Sequence, residues 1–254
     1  MSRRILAPVV GIIAFLGLWE LFVRVFDVRA FVLRAPSRIV PYLWDNRSDY
    51  LAGAWVTGQH AVVGSTISLI VALLIGSAMA GSRFLELAGQ PVLTLLQVTP
   101  FVAYIASVVL WLGAGTPPAL FLVALVCLPA YTFATVDGMR GADADARELL
   151  ASVDAARWEV LWRLRLPSAM PALFTAARYN AGLALIAAYL VEGGNFANEG
   201  LGAIGKRAAA FNEGDALWAA IFAMALLGTM ALLAISLAQR VFMRWHVSQR
   251  PQRA

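Results

Sequence analysis

The chain has 254 residues, of which 61% are hydrophobic and 14% are charged, and its formal net charge is +5. A soluble domain is about half apolar and about a quarter charged, so this composition excludes a single soluble globular domain. Basic residues are expected on the cytoplasmic side of a membrane protein, so the positive charge does not indicate nucleic-acid binding.

The apolar residues are grouped in continuous stretches, and a helix of about 20 residues is long enough to cross a bilayer. Alternating stretches would be typical of a membrane β-barrel, whereas continuous stretches must form helices because lipid offers the backbone no hydrogen bonds. The predicted fold is therefore all-α, a polytopic membrane bundle of about six helices. The predicted spans cover residues 5–25, 61–81, 91–112, 118–136, 173–191 and 216–238.

The first predicted span follows Met1-Ser2-Arg3-Arg4 and contains Glu20. Its apolar stretch is longer than that of a signal peptide and has no small-x-small cleavage site. We interpret it as a retained span. Residues 1–60 are then predicted to form a membrane helix and an extracytoplasmic loop, followed by a core of five membrane helices over residues 61–246.

Single residues of reactive types do not indicate a chemical site. Cys127 lies in an apolar stretch and is expected to be a small buried hydrophobe. His60 and His246 each stand alone near the end of a span, so the sequence predicts no metal site.

Polar groups inside spans are costly in lipid and tend to face an interior. The candidates for facing such an interior, and so for lining any path through the bundle, are Gln97, Thr99, Tyr104, Asn180, Tyr189 and Glu192. Other interpretations stay open, because tyrosines often lie in an interfacial belt and Asn180 can join helices. Glu192 can be partly solvated at the outer end of its span. Arg178 is expected to reach the headgroups.

The distribution of basic residues predicts the orientation. With the N-terminus inside, the inner segments hold about twice as many basic residues as the outer ones. Both termini are therefore predicted to be cytoplasmic, including a tail over residues 247–254. The basic cluster from Arg29 to Arg47 runs against this bias without reversing it.

The segment 137–171 is unlike the other connections because it interleaves acidic and basic side chains among helix-forming residues. Residues 142–153 predict one short helix, and Asp154 can cap a second one. On the second helix Trp158, Leu161 and Trp162 recur at three- and four-residue spacing and form an apolar stripe. Leu166-Pro167 is expected to end that helix, and Pro171 to begin the next span.

Two interpretations of this segment are open on physical grounds. An amphipathic helix can lie in the headgroup region with its tryptophans at the interface. Alternatively, the helix pair is presented to the groove of a partner protein.

The segment resembles the EAA loop of binding-protein-dependent ABC importer permeases. That pattern is Glu-Ala-Ala, three residues, Gly, nine residues, then Ile-x-Leu-Pro, and the spacing from Glu148-Leu149-Leu150 to Leu164-Arg165-Leu166-Pro167 fits it. Glu148, Leu166 and Pro167 match in identity. Leucines replace the alanine pair, and Asp154 replaces the glycine. Aspartate tolerates left-handed geometry better than most residues, so the turn can survive.

The resemblance covers about residues 64–246 and is closest to the nitrate, sulfonate, taurine and thiamine-precursor branch. The matching stretches are Pro100, Trp111-Leu112-Gly113, Pro171-Ala172-Leu173, Val191-Glu192 and Gly200-Leu201-Gly202.

The resemblance implies a type I ABC importer permease of the bacterial cytoplasmic (inner) membrane. Such a subunit has no catalytic residues and no cofactor of its own, and forms half of a path for a small solute such as a sulfonate, nitrate, taurine, a pyrimidine or another vitamin-type compound. The implied partners are a pair of ABC ATP-binding subunits holding ATP and magnesium, a second permease (identical or different), an extracytoplasmic solute-binding protein and membrane lipid.

The resemblance also implies which residues couple the permease to its ATPase. They are Glu148, Leu149, Leu150, Asp154, Arg157, Trp158, Leu161, Trp162, Leu166 and Pro167. Glu148 is expected to position the loop by polar contacts, while Trp158 and Leu161 fill the partner's groove. Leu166-Pro167 is expected to set the angle at which the chain re-enters the membrane.

The alternative class is a secondary transporter, which builds midplane sites from broken helices and often shows internal repeats. Pro100 and Pro129 permit breaks, but no repeat is visible and the middle of each span lacks carboxylates. A membrane enzyme would need converging catalytic groups, which the sequence does not offer.

Overall fold

The computed structural model describes residues 2–29, 32–194 and 199–243, and within these ranges every regular element is helical. His246 and the predicted tail lie outside the described residues. The helices are α1 (Ser2–Val25), α2 (Pro36–Asp45), α3 (Arg47–Gly81), α4 (Arg83–Val98), α5 (Ile105–Leu112), α6 (Thr116–Arg140), α7 (Ala144–Ser152), α8 (Arg157–Val160), α9 (Leu166–Gly193), α10 (Leu201–Ala210) and α11 (Gly214–Phe242). A 3₁₀ turn, Phe101–Tyr104, precedes α5, and a π-helical turn, Leu161–Arg165, joins α8 to α9.

Helices α1, α3, α6 and α11, together with the continuous helix formed by α8, the π turn and α9, are long and apolar enough to span a membrane. The α4–α5 pair also passes this test but is bent by 86° at its break. The span predicted over residues 91–112 is therefore broken, at one of the two prolines that permit a break. Pro100 has no N–H to donate and disfavours helical geometry at Thr99, whose ψ is 125°.

The bent pair crosses the membrane as one broken span. Helices α3 and α6 run parallel, since Gly64 faces Val123 and Gly76 faces Thr135. Two parallel helices require the chain between them to return to its starting side. The described chain thus makes 6 crossings.

The core lies between α3, α6 and α9, where small side chains let the backbones approach closely. Ala72, Cys127, Ala169 and Ala187 have no exposed surface there. Burial of Cys127 confirms its prediction. At Gly138 of α6 an added Cβ would lie 2.6 Å from the Cα of Ala169, so that site admits no side chain.

Helix α1 lies at the edge of the bundle, where Trp19 packs against Trp218 and Phe222 of α11. Its acidic residue is satisfied locally. The Glu20 carboxylate accepts hydrogen bonds from the Ser37 backbone N–H, at 3.0 Å, and from the Ser37 hydroxyl, at 2.7 Å. A carboxylate at the start of α2 is favourable because it meets unpaired backbone N–H groups and the positive end of the helix.

Two boundaries differ from prediction. Helix α3 begins at Arg47, well before the predicted start at residue 61. The hydropathy pattern does not show this earlier start because polar Thr57 and His60 interrupt the apolar stretch. In the structure both side chains have buried hydrogen-bond partners. The prediction that Leu166-Pro167 ends a helix, with Pro171 starting the next, is wrong. The Leu166 N–H bonds to the Leu161 carbonyl in a wider π turn, and the helix continues through both prolines.

The two ends of the bundle need names that do not presume an orientation. The end that carries residues 141–165 is called the loop end. The opposite end, where α10 lies, is called the α10 end.

Candidate functional site

The segment 141–165, called the docking segment, forms two short helices joined by a turn. Helix α7 confirms the predicted first helix and is capped by Asp143, whose carboxylate accepts a hydrogen bond from the Asp145 N–H at 2.9 Å. Asp154 has a φ of 51°, which confirms that it adopts the left-handed geometry expected at the glycine position. Its predicted capping role is wrong: α8 begins at Ala156, whose N–H donates to the Glu159 carboxylate at 3.0 Å.

Large apolar side chains of the docking segment are exposed. Leu149, Val153, Trp158 and Trp162 are 66%, 67%, 62% and 64% accessible; these four are called the exposed apolar set. Arg157 is exposed on the same segment. Glu148 is also exposed and has no intramolecular hydrogen bond or ion pair within the described chain, so its carboxylate is open to a partner.

The three side chains of the predicted apolar stripe do not share one face in the structure. Leu161 is half-buried and packs against the core together with Leu166, while the two tryptophans point outward. Successive helical residues are about 100° apart, so neighbours at 161 and 162 face different ways. Leu150 and Pro167 are half-buried as well. Leu161 therefore packs inward in the described chain, and its contact with a partner's groove stays a prediction.

A cleft of about 160 Å³ lies where α4 ends. Gln97, Thr99, Pro100 and Phe101 line it from the broken span, Pro129 lines it from α6, and Tyr179 and Leu183 line it from α9. The structure thus brings together Gln97 and Thr99 of the predicted path set. Sequence reasoning missed Tyr179, although a tyrosine next to Asn180 inside a span was a visible signal.

Two other members of the predicted path set serve packing. Tyr104 is half-buried against a cluster that includes Val108 and Leu122. Asn180 is fully buried, and its Nδ2 donates to the Cys127 carbonyl at 3.1 Å. This bond joins α9 to α6, which was the alternative interpretation of Asn180. Arg178 is exposed and donates to Gln239 of α11 at 2.6 Å.

Glu192 is the centre of a buried polar cluster at the α10 end. Its carboxylate accepts hydrogen bonds from the Thr57 hydroxyl, at 2.7 Å, and from the Gly202 N–H, at 3.1 Å. The Nδ1 of His60 lies 2.9 Å from the same carboxylate. Glu192 has no exposed surface, so its predicted solvation is wrong. The interpretation of His60 as an isolated residue is wrong too.

This cluster fixes the start of α10. The Leu201 N–H donates to the Thr57 hydroxyl at 2.9 Å, so two N–H groups of the first turn bond to the cluster. A negative charge there is favoured by the helix dipole. A side chain added at Gly200 would overlap Glu192, and one added at Gly202 would overlap the backbone of Tyr189. Tyr189 therefore lies against α10 rather than in the cleft, and Glu192 and Gly200-Leu201-Gly202 form one structural unit.

Comparisons with known proteins agree with this architecture. The family model described as "Binding-protein-dependent transport system inner membrane component" matches residues 64–247. The chain is 26% identical over 249 residues to the formylaminopyrimidine transport permease protein ThiX of Halalkalibacterium halodurans, covering 98% of this chain and 99% of that protein. It is 30% identical over 244 residues to the riboflavin transport system permease protein RibX of Chloroflexus aurantiacus, covering 94% and 90%.

The fold is similar to that of a solved transporter. A chain of the inward-facing MetNI methionine ABC transporter superposes with a TM-score of 0.69 at 16% identity, over 80% of this chain and 99% of that one. Since the identity is low, this likeness concerns the fold.

Proposed function

Because the chain belongs to the family of binding-protein-dependent transport system inner membrane components, we propose that its docking segment binds an ATP-binding subunit. The chain is a multi-pass inner-membrane permease and the transport subunit of an ABC importer for a small solute; it is not an enzyme. Membership in the family implies ATP-binding partners and a solute-binding protein. The finer assignments below are proposals.

The observation that carries the docking proposal is the exposed apolar set on an otherwise polar segment. Exposed large apolar groups of this kind mark interaction surfaces, and buried tryptophans commonly supply much of the binding energy of an interface. An interfacial helix that binds anionic lipid is enriched in basic residues. In the docking segment acidic side chains slightly outnumber basic ones, which favours a protein partner over the headgroup region.

Docking on an ATP-binding subunit places the loop end in the cytoplasm. An even number of crossings then puts the two ends of the described chain on that side, in agreement with the basic-residue bias. ATP and magnesium are held by the partner, and the solute-binding protein approaches the α10 end. A second permease, a copy or a different chain, completes the path, and closure of the ATP-binding subunits moves the docking segment.

The cleft at the end of α4 is the proposed solute-contacting part of the path. Its lining offers two aromatic rings, Phe101 and Tyr179, and the hydrogen-bonding groups of Gln97 and Thr99, and none of its lining residues is charged. An anion such as a sulfonate or nitrate would find no opposite charge there. A neutral aromatic heterocycle fits this chemistry, and two relatives are named for transport of formylaminopyrimidine and riboflavin.

Copurification tests the docking proposal. We expect the double variant Trp158→Ala, Trp162→Ala to lose the ATP-binding subunit, with an affinity about 30-fold lower, because truncating central interface tryptophans commonly costs about 2 kcal/mol or more. The matched control is Trp55→Ala, Trp111→Ala, which removes two tryptophans, 69% and 71% exposed, outside the docking segment. Unchanged binding of the ATP-binding subunit to the first variant would contradict the proposal.

Uptake by cells carrying the complete transporter tests the solute class. Formylaminopyrimidine and riboflavin are compared with taurine and an alkanesulfonate. We expect import of a heterocycle, weakened by Gln97→Ala, Thr99→Ala. Import of the sulfonates alone would contradict the assignment of a neutral heterocycle.

A further inference from the structure

A partly buried ion pair joins α6 to α4 at the loop end. Glu86, in the first turn of α4, is 4% exposed, and its carboxylate accepts hydrogen bonds from Arg140 and Arg83, each at 2.6 Å. Arg140 is the last residue of α6, and it also donates to the carbonyl oxygen of Met79 at 3.4 Å. Met79 lies in the last turn of α3. Arg140 therefore holds the ends of three helices together.

Arg140 also immediately precedes the docking segment, which begins at residue 141. Two residues before Arg140, Gly138 packs directly on the backbone of Ala169, near the start of α9. The two helices that carry the docking segment are thus in close contact at its base. Because packed helices move as units, displacement of the docking segment reaches Arg140.

Helix α4 connects the ion pair of Glu86 and Arg140 to the cleft. It is a continuous helix of 16 residues, although Pro91 removes one internal hydrogen bond. Leu93, past the middle of α4, is buried together with Met79 of α3 and Val136 of α6, so α4 packs on both neighbours at that residue. At 1.5 Å per residue, Glu86 lies about 20 Å from the end of the helix.

The far end of α4 is a sharp bend. The helix stops at Val98, and the chain turns by 86° at Thr99 and Pro100. Residues at the ends of elements commonly absorb the backbone rotation in a domain movement. Gln97 and Thr99 line the cleft at this bend, so a tilt of α4 would change the shape of the cleft.

We propose that Glu86 and Arg140 are positioning residues that transmit movement of the docking segment through α4 to the cleft. The proposal rests on the proposed docking function. Neither residue lines the cleft. The Arg140 side chain is 37% exposed, but Glu86 is too buried to reach a partner, so Glu86→Gln breaks the bond without changing the surface that a partner meets. Removing their bond should leave the ATP-binding subunit attached while its movement no longer reaches the solute.

The chain offers a matched control on the same carboxylate. Arg83 lies on α4 itself, three residues from Glu86, and its side chain is 70% exposed. Arg83→Gln removes one charge from Glu86 but cuts no link between helices. Arg140→Gln removes the same charge and cuts the link between α6 and α4.

The experiment uses the whole transporter, with its ATP-binding subunits and binding protein, in proteoliposomes. We expect Glu86→Gln and Arg140→Gln to retain the ATP-binding subunits at the wild-type ratio. Solute imported per ATP hydrolysed should fall about tenfold, a typical effect of losing the coupling between two sites. Arg83→Gln should match the wild type. Arg140→Lys keeps a positive charge beside Glu86 and should retain more coupling than Arg140→Gln. This comparison tests the proposal even if Glu86→Gln folds poorly.

Several results would overturn the proposal. One is an unchanged ratio of solute imported to ATP hydrolysed in Arg140→Gln and in Glu86→Gln. A merely structural role would lower the rates of import and of hydrolysis together and so leave this ratio unchanged. Another is an equal loss in Arg83→Gln, and a third is an effect of Arg140→Gln with none of a folded Glu86→Gln. Failure of the wild-type permease to bind the ATP-binding subunit would instead contradict the docking function.

Discussion

The carboxylate of Glu192 occupies the space into which a side chain on Gly200 would project. Gly200 has a φ of 99°, a conformation that glycine adopts without strain and other residues rarely adopt. The next residues start α10, whose first N–H groups bond to Glu192 and Thr57. The position of α10 against α3 and α9 therefore depends on the absence of a side chain at residue 200.

Gly200→Ala is expected to destabilise the permease by about 3 kcal/mol, because strain at positive φ and overlap with a buried group act together. Gly115→Ala is the control, since Gly115 has a similar φ of 101° but nothing within 4 Å of an added Cβ. The measurement is the thermal unfolding of both variants in detergent. Equal midpoints would show that the contact with Glu192 adds nothing to the strain.

Thr57→Val tests the polar cluster with a side chain of nearly the same shape. It removes the donor to Glu192 and the acceptor of the Leu201 N–H, both buried. The Leu201 N–H then has no partner, which costs about 1–3 kcal/mol for a buried group, while Glu192 keeps Gly202 and His60. The unfolding midpoint should therefore fall clearly. The control is Thr229→Val, where an exposed hydroxyl bonds only to its own helix. A midpoint as high as that of the control would contradict the role of the cluster.

Gly64→Ala tests the parallel packing of α3 on α6. An added Cβ would lie 2.6 Å from the Cβ of Val123 and 3.1 Å from the carbonyl oxygen of Leu120. Overpacking of this kind costs about 1–3 kcal/mol. Gly182→Ala, with open space around it, should not destabilise the protein.

A second substitution, Val123→Gly, should cost less stability in the Gly64→Ala background than in the wild type, because it removes the Val123 Cβ and Cγ1 that lie 2.6 Å and 2.7 Å from the new methyl group. Contacting residues show such non-additive effects. Strictly additive losses in thermal unfolding would indicate that α3 and α6 do not meet at these two residues.

Asp154→Gly tests the turn of the docking segment. A positive φ costs a non-glycine residue about 1 kcal/mol, so glycine should stabilise the turn and keep the ATP-binding subunit attached in copurification. Asp154→Val should weaken that attachment, because a β-branched residue fits this geometry poorly. Asp145→Gly, in the first turn of α7, is the control and should give no gain. Loss of the subunit in Asp154→Gly would mean that the partner requires the carboxylate.

Local patterns predicted much of this protein. Continuous apolar stretches identified the spans, since lipid forces each stretch to satisfy its own backbone hydrogen bonds. The charged segment after α6 stood out because it is too polar for lipid. The left-handed turn at Asp154 could be predicted from its place in a motif. These features depend on residues close together in the chain, and so the sequence by itself determined them.

The tertiary structure alone decided how the polar groups are satisfied. Glu192 meets Thr57, 135 positions away, and His60, 132 positions away, and Arg140 meets Glu86 across 54 positions. No periodicity reports such pairs, because they form only when separate helices pack. Hydropathy also could not show that Pro100 bends its span, since a broken helix is as apolar as a straight one. The pattern of apolar stretches determined where the helices lie, and their packing decided which polar groups are paired.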